Sequence, residues 1–208
     1  MADRSEHNLE QRRAFDELVH VFDAPLEREV KDRLNRIVAQ AAIEPGQVVL
    51  DVGTGVGVLI PLITEYNPSR ILVCDLSPQM LRRTAEKYPG IEIHNSDIID
   101  LDLPPACLDV AFLNGMFSNI YDKPAALAKL ALLLKPGGRM VVSHPEGREF
   151  IRRLKAKVKF RLDLLPGREE WFSLLERFPF ESIHFQDEPG FFLAVARREN
   201  GRHIGDPE

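Results

Sequence analysis

Only two cysteines, Cys74 and Cys107, occur among 208 residues, and neither sits in a CxxC pair or beside a histidine. That excludes a disulfide framework and a cysteine-ligated structural zinc site, and it suits a reducing compartment. No apolar run nears the roughly 20 residues that a bilayer-spanning helix needs. The start, Met1-Ala2-Asp3-Arg4-Ser5-Glu6, lacks the charged and apolar regions of a secretory signal. The expectation is a cytoplasmic chain with no transmembrane segment. An excess of positive charge is missing as well. The 27 Lys and Arg against 32 Asp and Glu give a net charge of −5, which argues against a generally basic nucleic-acid binder. No GxxxxGK[ST] is present, so a P-loop nucleotidase is out. No cluster has metal-ligand spacing, and no metal is expected.

What is there fits one soluble domain, 44% hydrophobic and 28% charged. Residues 6–23 read as a helix whose apolar stripe uses Leu9, Phe15, Leu18, Val19 and Phe22. Pro25 suits the first turn of a second helix, running to about Ala42. From residue 48 onward, short apolar runs alternate with helical stretches. Strands are predicted over 48–52, 71–75, 91–94, 110–113, 139–143, 181–186 and 191–197. Helices are predicted over 58–66, 77–88, 125–134, 148–164 and 168–178. This alternation predicts a doubly wound α/β fold: a mostly parallel seven-stranded sheet with helices on both faces. The last two strands are joined only by Asp187-Glu188-Pro189-Gly190, so the sheet ends in an antiparallel hairpin.

In such a sheet, ligands bind beyond the C-terminal ends of the strands. Five groups converge there: Asp51–Gly57, Asp75–Leu76, Asp97–Ile98, Asn114–Phe117 and Ser143–Gly147. Gly53-Thr54-Gly55-Val56-Gly57 lets a ligand come close to the backbone and leads into a helix N-terminus. Asp75 ends the second strand, where a carboxylate can accept both hydroxyls of a ribose. Val58 stands where the dinucleotide pattern GxGxxG has its last glycine, which weakens a nicotinamide reading.

These residues together resemble a known family. Val49-Leu50-Asp51-Val52-Gly53-Thr54-Gly55-Val56-Gly57 is similar to the first motif of class I S-adenosylmethionine-dependent methyltransferases. Asp75-Leu76-Ser77-Pro78-Gln79-Met80-Leu81 resembles their second motif. Asp97-Ile98 resembles the pair that family members use at adenine, and Leu134-Lys135-Pro136-Gly137-Gly138-Arg139 resembles the turn before their fifth strand. The resemblance covers residues 25–146. The segment from Phe15-Asp16 to Asp23 resembles the small-molecule branch, methyltransferase type 11 and quinone-pathway-like, with Phe22 where that branch usually has tyrosine.

The resemblance implies a Rossmann-like fold, S-adenosylmethionine as cofactor and S-adenosylhomocysteine as product. It implies that Gly53 and Gly55, helped by Thr54, meet the methionine part of the cofactor while Asp51 orients the turn. Asp75 would accept from the ribose. Leu76 and Met80 would flank adenine, and Asp97 and the Ile98 N–H would bind its edge. Asn114 and Gly115 would hold the methionine end. Transfer of a sulfonium methyl is an in-line displacement in which alignment and water exclusion carry much of the acceleration. His144 is the candidate base if the acceptor must lose a proton. Phe15, Tyr121 and Glu146 are the candidate substrate contacts.

Residues 148–161 hold seven basic residues and one acid. Ile151, Leu154, Val158, Leu162 and Leu165 repeat at three and four, so the expectation is an amphipathic basic helix over the acceptor side. It is a solvated face, an attractor of an anionic substrate, or a contact with a membrane surface. The division expected of the chain is a single domain, 1–208. It comprises a helical lid at 1–24, a cofactor-binding core at 25–146, an acceptor side at 147–199 and a mobile tail at 200–208. The function expected is methyl transfer to a small-molecule acceptor. The alternatives are an RNA-directed methyltransferase using the basic helix, or a silent cofactor-binding subunit. Oligomeric state is not legible.

Overall fold

The computed structural model describes residues 3–158 and 160–201. Lys159 and the tail 202–208, including His203, lie outside the described residues, and so does most of the segment expected to be mobile.

Seven strands form one sheet in the order β3-β2-β1-β4-β5-β7-β6. They are β1 (Val48–Val52), β2 (Arg70–Asp75), β3 (Glu92–Asn95), β4 (Leu108–Asn114), β5 (Leu134–His144), β6 (Phe180–Glu188) and β7 (Phe191–Arg198). The first five run parallel, and β7 is antiparallel to both β5 and β6. The strand order reverses at β1, between β2 and β4. Ligand crevices open at such a switch point.

Successive side chains of a strand point to opposite faces. Val49, Val110, Phe112, Val141, Leu193 and Val195 therefore pack on one face with Leu34, Ile37 and Val38 of helix α3 (Arg28–Gln40) and Ile63 of helix α4 (Ile60–Thr64). Leu50, Val52, Ala111, Leu113, Met140 and Val142 pack on the other, with Leu127 and Leu130 of helix α6 (Lys123–Leu133) and Trp171 of helix α8 (Arg168–Leu175). Helix α5 (Pro78–Lys87) adds Leu81 against Ile60 and Val73. Its start is well specified: the Ser77 hydroxyl accepts from the Met80 N–H at 3.1 Å, and Pro78 opens the first turn.

Three expectations shift. Helix α3 starts at Arg28, so Pro25 precedes it instead of opening it. The N-terminal stretch is two helices, α1 (Arg4–Glu17) and α2 (Val19–Phe22), broken at Leu18. The basic helix α7 (Gly147–Lys155) ends well before residue 164. Like charges one turn apart repel along it. Beyond it the irregular chain carries Leu162 and Leu165 into the core, held by the Asp163 N–H donating to the Ser118 carbonyl at 2.9 Å. The apolar repeat marks burial here, but not helix. Among the described residues no helix is long and apolar enough to cross a membrane.

Candidate cofactor and acceptor site

The glycine turn follows β1 at the switch point. Its first two N–H groups, of Gly53 and Thr54, donate to the Cys74 carbonyl at 2.8 and 3.3 Å, which straps the turn to β2. Gly53, Gly55 and Gly57 have φ of +64°, +56° and +79°, conformations that L side chains rarely adopt. Asp75 closes the turn from the end of β2. Its Oδ2 accepts from the Gly55 N–H and its Oδ1 from the Ser77 N–H, both at 2.9 Å. Each oxygen keeps a second lone pair. Burial raises the Asp75 pKa, against those backbone bonds. A Cβ on Gly55 would meet nothing within 4 Å, so that backbone faces open space. A Cβ on Gly53 would lie 2.8 Å from the Met116 side chain, which closes the turn from the β4 side.

Asp51 lies beneath the turn, 2% exposed. The Thr54 hydroxyl donates to its Oδ2 at 2.7 Å. Burial pushes its pKa up to about 7, the Thr54 bond works against that, and the nearby Asp75 charge adds to it.

Beyond β2 and β3 a cleft of about 380 Å³ opens between α1 and the loops that carry Leu76 and Asp97. Ser5, Asn8, Leu9 and Arg12 line it from α1. Asn8 donates to Asp97 Oδ2 at 2.7 Å, while Asp97 Oδ1 accepts from the Ile99 N–H at 3.0 Å. Arg4 pairs with Asp100 at 3.0 Å. Met80 and Ile98, expected beside the adenine, are only 1% and 2% exposed and are not among the residues that line this cleft.

Helix α1 is turned opposite to its apolar stripe. Its buried residues are His7 and Gln11, while Leu9 is exposed, as are Leu18 and Phe22 beyond it. His7 Nε2 lies 2.8 Å from the Asn119 carbonyl, and the Gln11 amide donates to the same oxygen at 3.0 Å. Asp16 accepts from the Ser77 hydroxyl at 2.6 Å and the Gln79 N–H at 3.3 Å. Asp23 accepts from Arg83 and Lys87. The helix thus clasps the ends of β2, β3 and β4 by polar contacts. Sequence reasoning missed His7, Asn8, Gln11 and Asp16. For the first three the spacing of four from His7 to Gln11 and three from Asn8 to Gln11 was the available signal.

On the other side of the switch point, the Ser143 hydroxyl donates to Asn114 Oδ1 at 3.0 Å, and the Gly115 N–H donates to the Ser143 carbonyl at 2.8 Å. His144 ends β5 and is 6% exposed, its ring 5.3 Å from that of Phe150. Its Nδ1 accepts from the Glu146 N–H at 3.1 Å. A backbone N–H can only donate, so the neutral ring carries its proton on Nε2. Burial lowers the His144 pKa to about 4. Burial also raises that of Glu146. Phe15 lies between the rings of Phe22 and Phe160, at 5.9 and 6.2 Å. Tyr121 lies between His7 at 5.3 Å and the Arg161 guanidinium at 4.8 Å. Lys123 and Arg161 both pair with Asp163, at 2.6 and 3.1 Å. Among the described residues no group of His, Cys, Asp and Glu could hold a metal ion. A larger surface groove, about 530 Å³, runs along α8 and includes none of these residues.

Comparison with known proteins bears on this geometry. Residues 50–142 match the family model described as a methyltransferase domain. A malonyl-[acyl-carrier protein] O-methyltransferase of Serratia marcescens is 31% identical over 132 residues, covering 62% of this chain and 50% of the relative. A phosphoethanolamine N-methyltransferase of Triticum aestivum is 29% identical over 164 residues, covering 76% and 32%. The chain thus spans half or less of the length of these curated relatives. The crystal structure of Burkholderia thailandensis 1,6-didemethyltoxoflavin-N1-methyltransferase, with bound 1,6-didemethyltoxoflavin and S-adenosylhomocysteine, superposes with a TM-score of 0.73. It is 20% identical and covers 96% of this chain and 92% of that one. By the domain matched over residues 50–142, its relatives and its fold, the chain is similar to methyltransferases, one of them solved with S-adenosylhomocysteine bound.

Proposed function

We propose that the chain binds S-adenosylmethionine in the cleft between the glycine turn, Asp75 and α1, and transfers its methyl group to a small-molecule acceptor. The observation that carries this reading is the clasp between Gly55 and Asp75, with open space over Gly55. The residues present fit the group. The turn offers bare backbone to the methionine part, Asp75 keeps free lone pairs for ribose hydroxyls, and the cleft beside Asp97 takes the adenine. Asn114 and Gly115 hold the methionine end. Bound S-adenosylmethionine would supply an electrophilic sulfonium methyl, open to in-line attack by an acceptor nucleophile with the neutral thioether S-adenosylhomocysteine as leaving group.

The protein's part is to align the two reactants and keep water away. The lid of α1 and α2 covers the cofactor side, and the acceptor passes between Phe15 and Tyr121. His144 is neutral at physiological pH with its proton on Nε2. It therefore serves the acceptor as a hydrogen-bond donor, and Glu146 beside it is the candidate second contact. A basic role for His144 requires the ring to give up its bond from the Glu146 N–H. The acceptors named for the two curated relatives both carry an anionic group, which supports an anionic acceptor here, with Arg161 and Lys123 at the mouth.

Calorimetry with S-adenosylmethionine and S-adenosylhomocysteine tests the reading. Binding of both, with a raised melting temperature, is expected. Absence of binding together with an unmoved melting temperature sinks it. The acceptor is then sought as the labelled product formed in cell extract.

A further inference from the structure

Helix α2 has an odd composition for its position. Three of its four residues, Val19, Val21 and Phe22, are apolar, yet it buries no side chain. Together with Leu18 it leaves apolar groups in water: Leu18 is 37% exposed, Val21 53% and Phe22 43%. A contiguous apolar patch of this kind marks a contact surface.

A second observation says what covers it. Arg152, Arg153, Lys155 and Lys157, at the end of α7 and just after it, are all exposed. The acid within α7, Glu149, is taken by Arg152 at 2.6 Å. Phe15 joins this cationic segment to the apolar turn, because its ring meets Phe22 on one side and Phe160, three residues past Lys157, on the other. Apolar turn and cationic segment are joined through Phe15 into one face.

We infer that this face docks on an anionic lipid surface. Its form fits that occupant. Val21 and Phe22 follow Leu18 by three and four residues and all three are exposed, as suits entry into the boundary between headgroups and acyl chains. The long cationic side chains beside them reach anionic headgroups. A second copy of the chain would bring its own cations against these. A single-stranded nucleic acid needs a row of exposed aromatic platforms, and of the exposed apolar side chains Leu18, Val21 and Phe22 only the last is aromatic. Docking in this way would place the mouth between Phe15 and Tyr121 at the lipid surface. The inference stands on the face alone and does not depend on methyl transfer.

The test is sedimentation of the full chain with vesicles of phosphatidylcholine alone and of phosphatidylcholine mixed with phosphatidylglycerol. Binding to the mixed vesicles, and its loss as salt is raised, is expected. Val21→Asp, and separately Lys155→Glu with Lys157→Glu, should each lower partitioning about tenfold or more. Both variants should keep the parent's melting temperature, since these side chains are exposed. Equal association with both vesicle types, no association, or a Val21→Asp variant that binds like the parent overturns the inference. So does a concentration-dependent dimer that Val21→Asp abolishes, or tight binding of an RNA oligonucleotide in place of vesicles.

Discussion

Replacing Asp51 by asparagine should stabilise this protein above neutral pH and leave it nearly unchanged in acid. The carboxyl is buried, and its pKa is pushed up to about 7 from 3.8, chiefly by burial. Between those values the folded chain holds a proton that the unfolded chain has released. The folded state then binds more protons, so stability falls as pH rises through this window and the loss is complete above about pH 7. At 1.36 kcal/mol per pH unit the whole gap is worth about 4 kcal/mol, of which about 2.7 kcal/mol falls between pH 5 and 7. Asparagine has nearly the same shape, keeps a carbonyl oxygen for the Thr54 hydroxyl bond, and carries no charge to desolvate.

Urea denaturation of both proteins at pH 5 and pH 8 reads the effect as a difference between the two. Asp75 is raised by burial as well, and comparing variant with parent cancels most of its share. The expected result is an Asp51→Asn advantage larger at pH 8 than at pH 5 by about 2–3 kcal/mol. The same stability difference at both pH values, or a less stable variant at pH 8, would show that Asp51 is ionised at little cost and refute the reasoning.

The two glycines of the turn should respond differently to alanine. Gly53→Ala drives a Cβ to 2.8 Å from Met116 and should cost about 2–4 kcal/mol of stability, strain and overpacking together. Gly55→Ala meets open space and should cost only about 1–2 kcal/mol, while calorimetry shows cofactor affinity down about tenfold or more. Asn8→Ala removes the 2.7 Å bond to Asp97; it should cost about 1 kcal/mol of stability, read as a small drop in melting temperature, and weaken cofactor binding a few-fold. Trp171→Ala deletes a fully buried ring whose indole N–H donates to the Ser182 hydroxyl at 2.9 Å. Chemical denaturation should report a loss of about 3–5 kcal/mol.

The glycine turn, the strands and the start of α5 were largely legible in the sequence because their geometry is imposed on backbone. A turn that needs positive φ at three alternate positions leaves glycines at 53, 55 and 57. A strand buried on both faces leaves an apolar run such as Ile71–Cys74, and a helix that must start just past Asp75 leaves Ser77-Pro78. The N-terminal helices and the chain after β5 were less legible because their residues are brought together by topology. Periodicity identifies the two faces of α1 but not which one turns inward. Where a helix covers a polar cleft, the buried face is the polar one, so His7 and Gln11 go in and Leu9 stays out. The repeat from Ile151 to Leu165 likewise records which side chains are buried, and an irregular chain buries Leu162 and Leu165 as well as a helix would. Both departures fall outside the sheet and its covering helices, in segments whose burial is set by polar contacts and by irregular chain, and there local pattern loses its hold on structure.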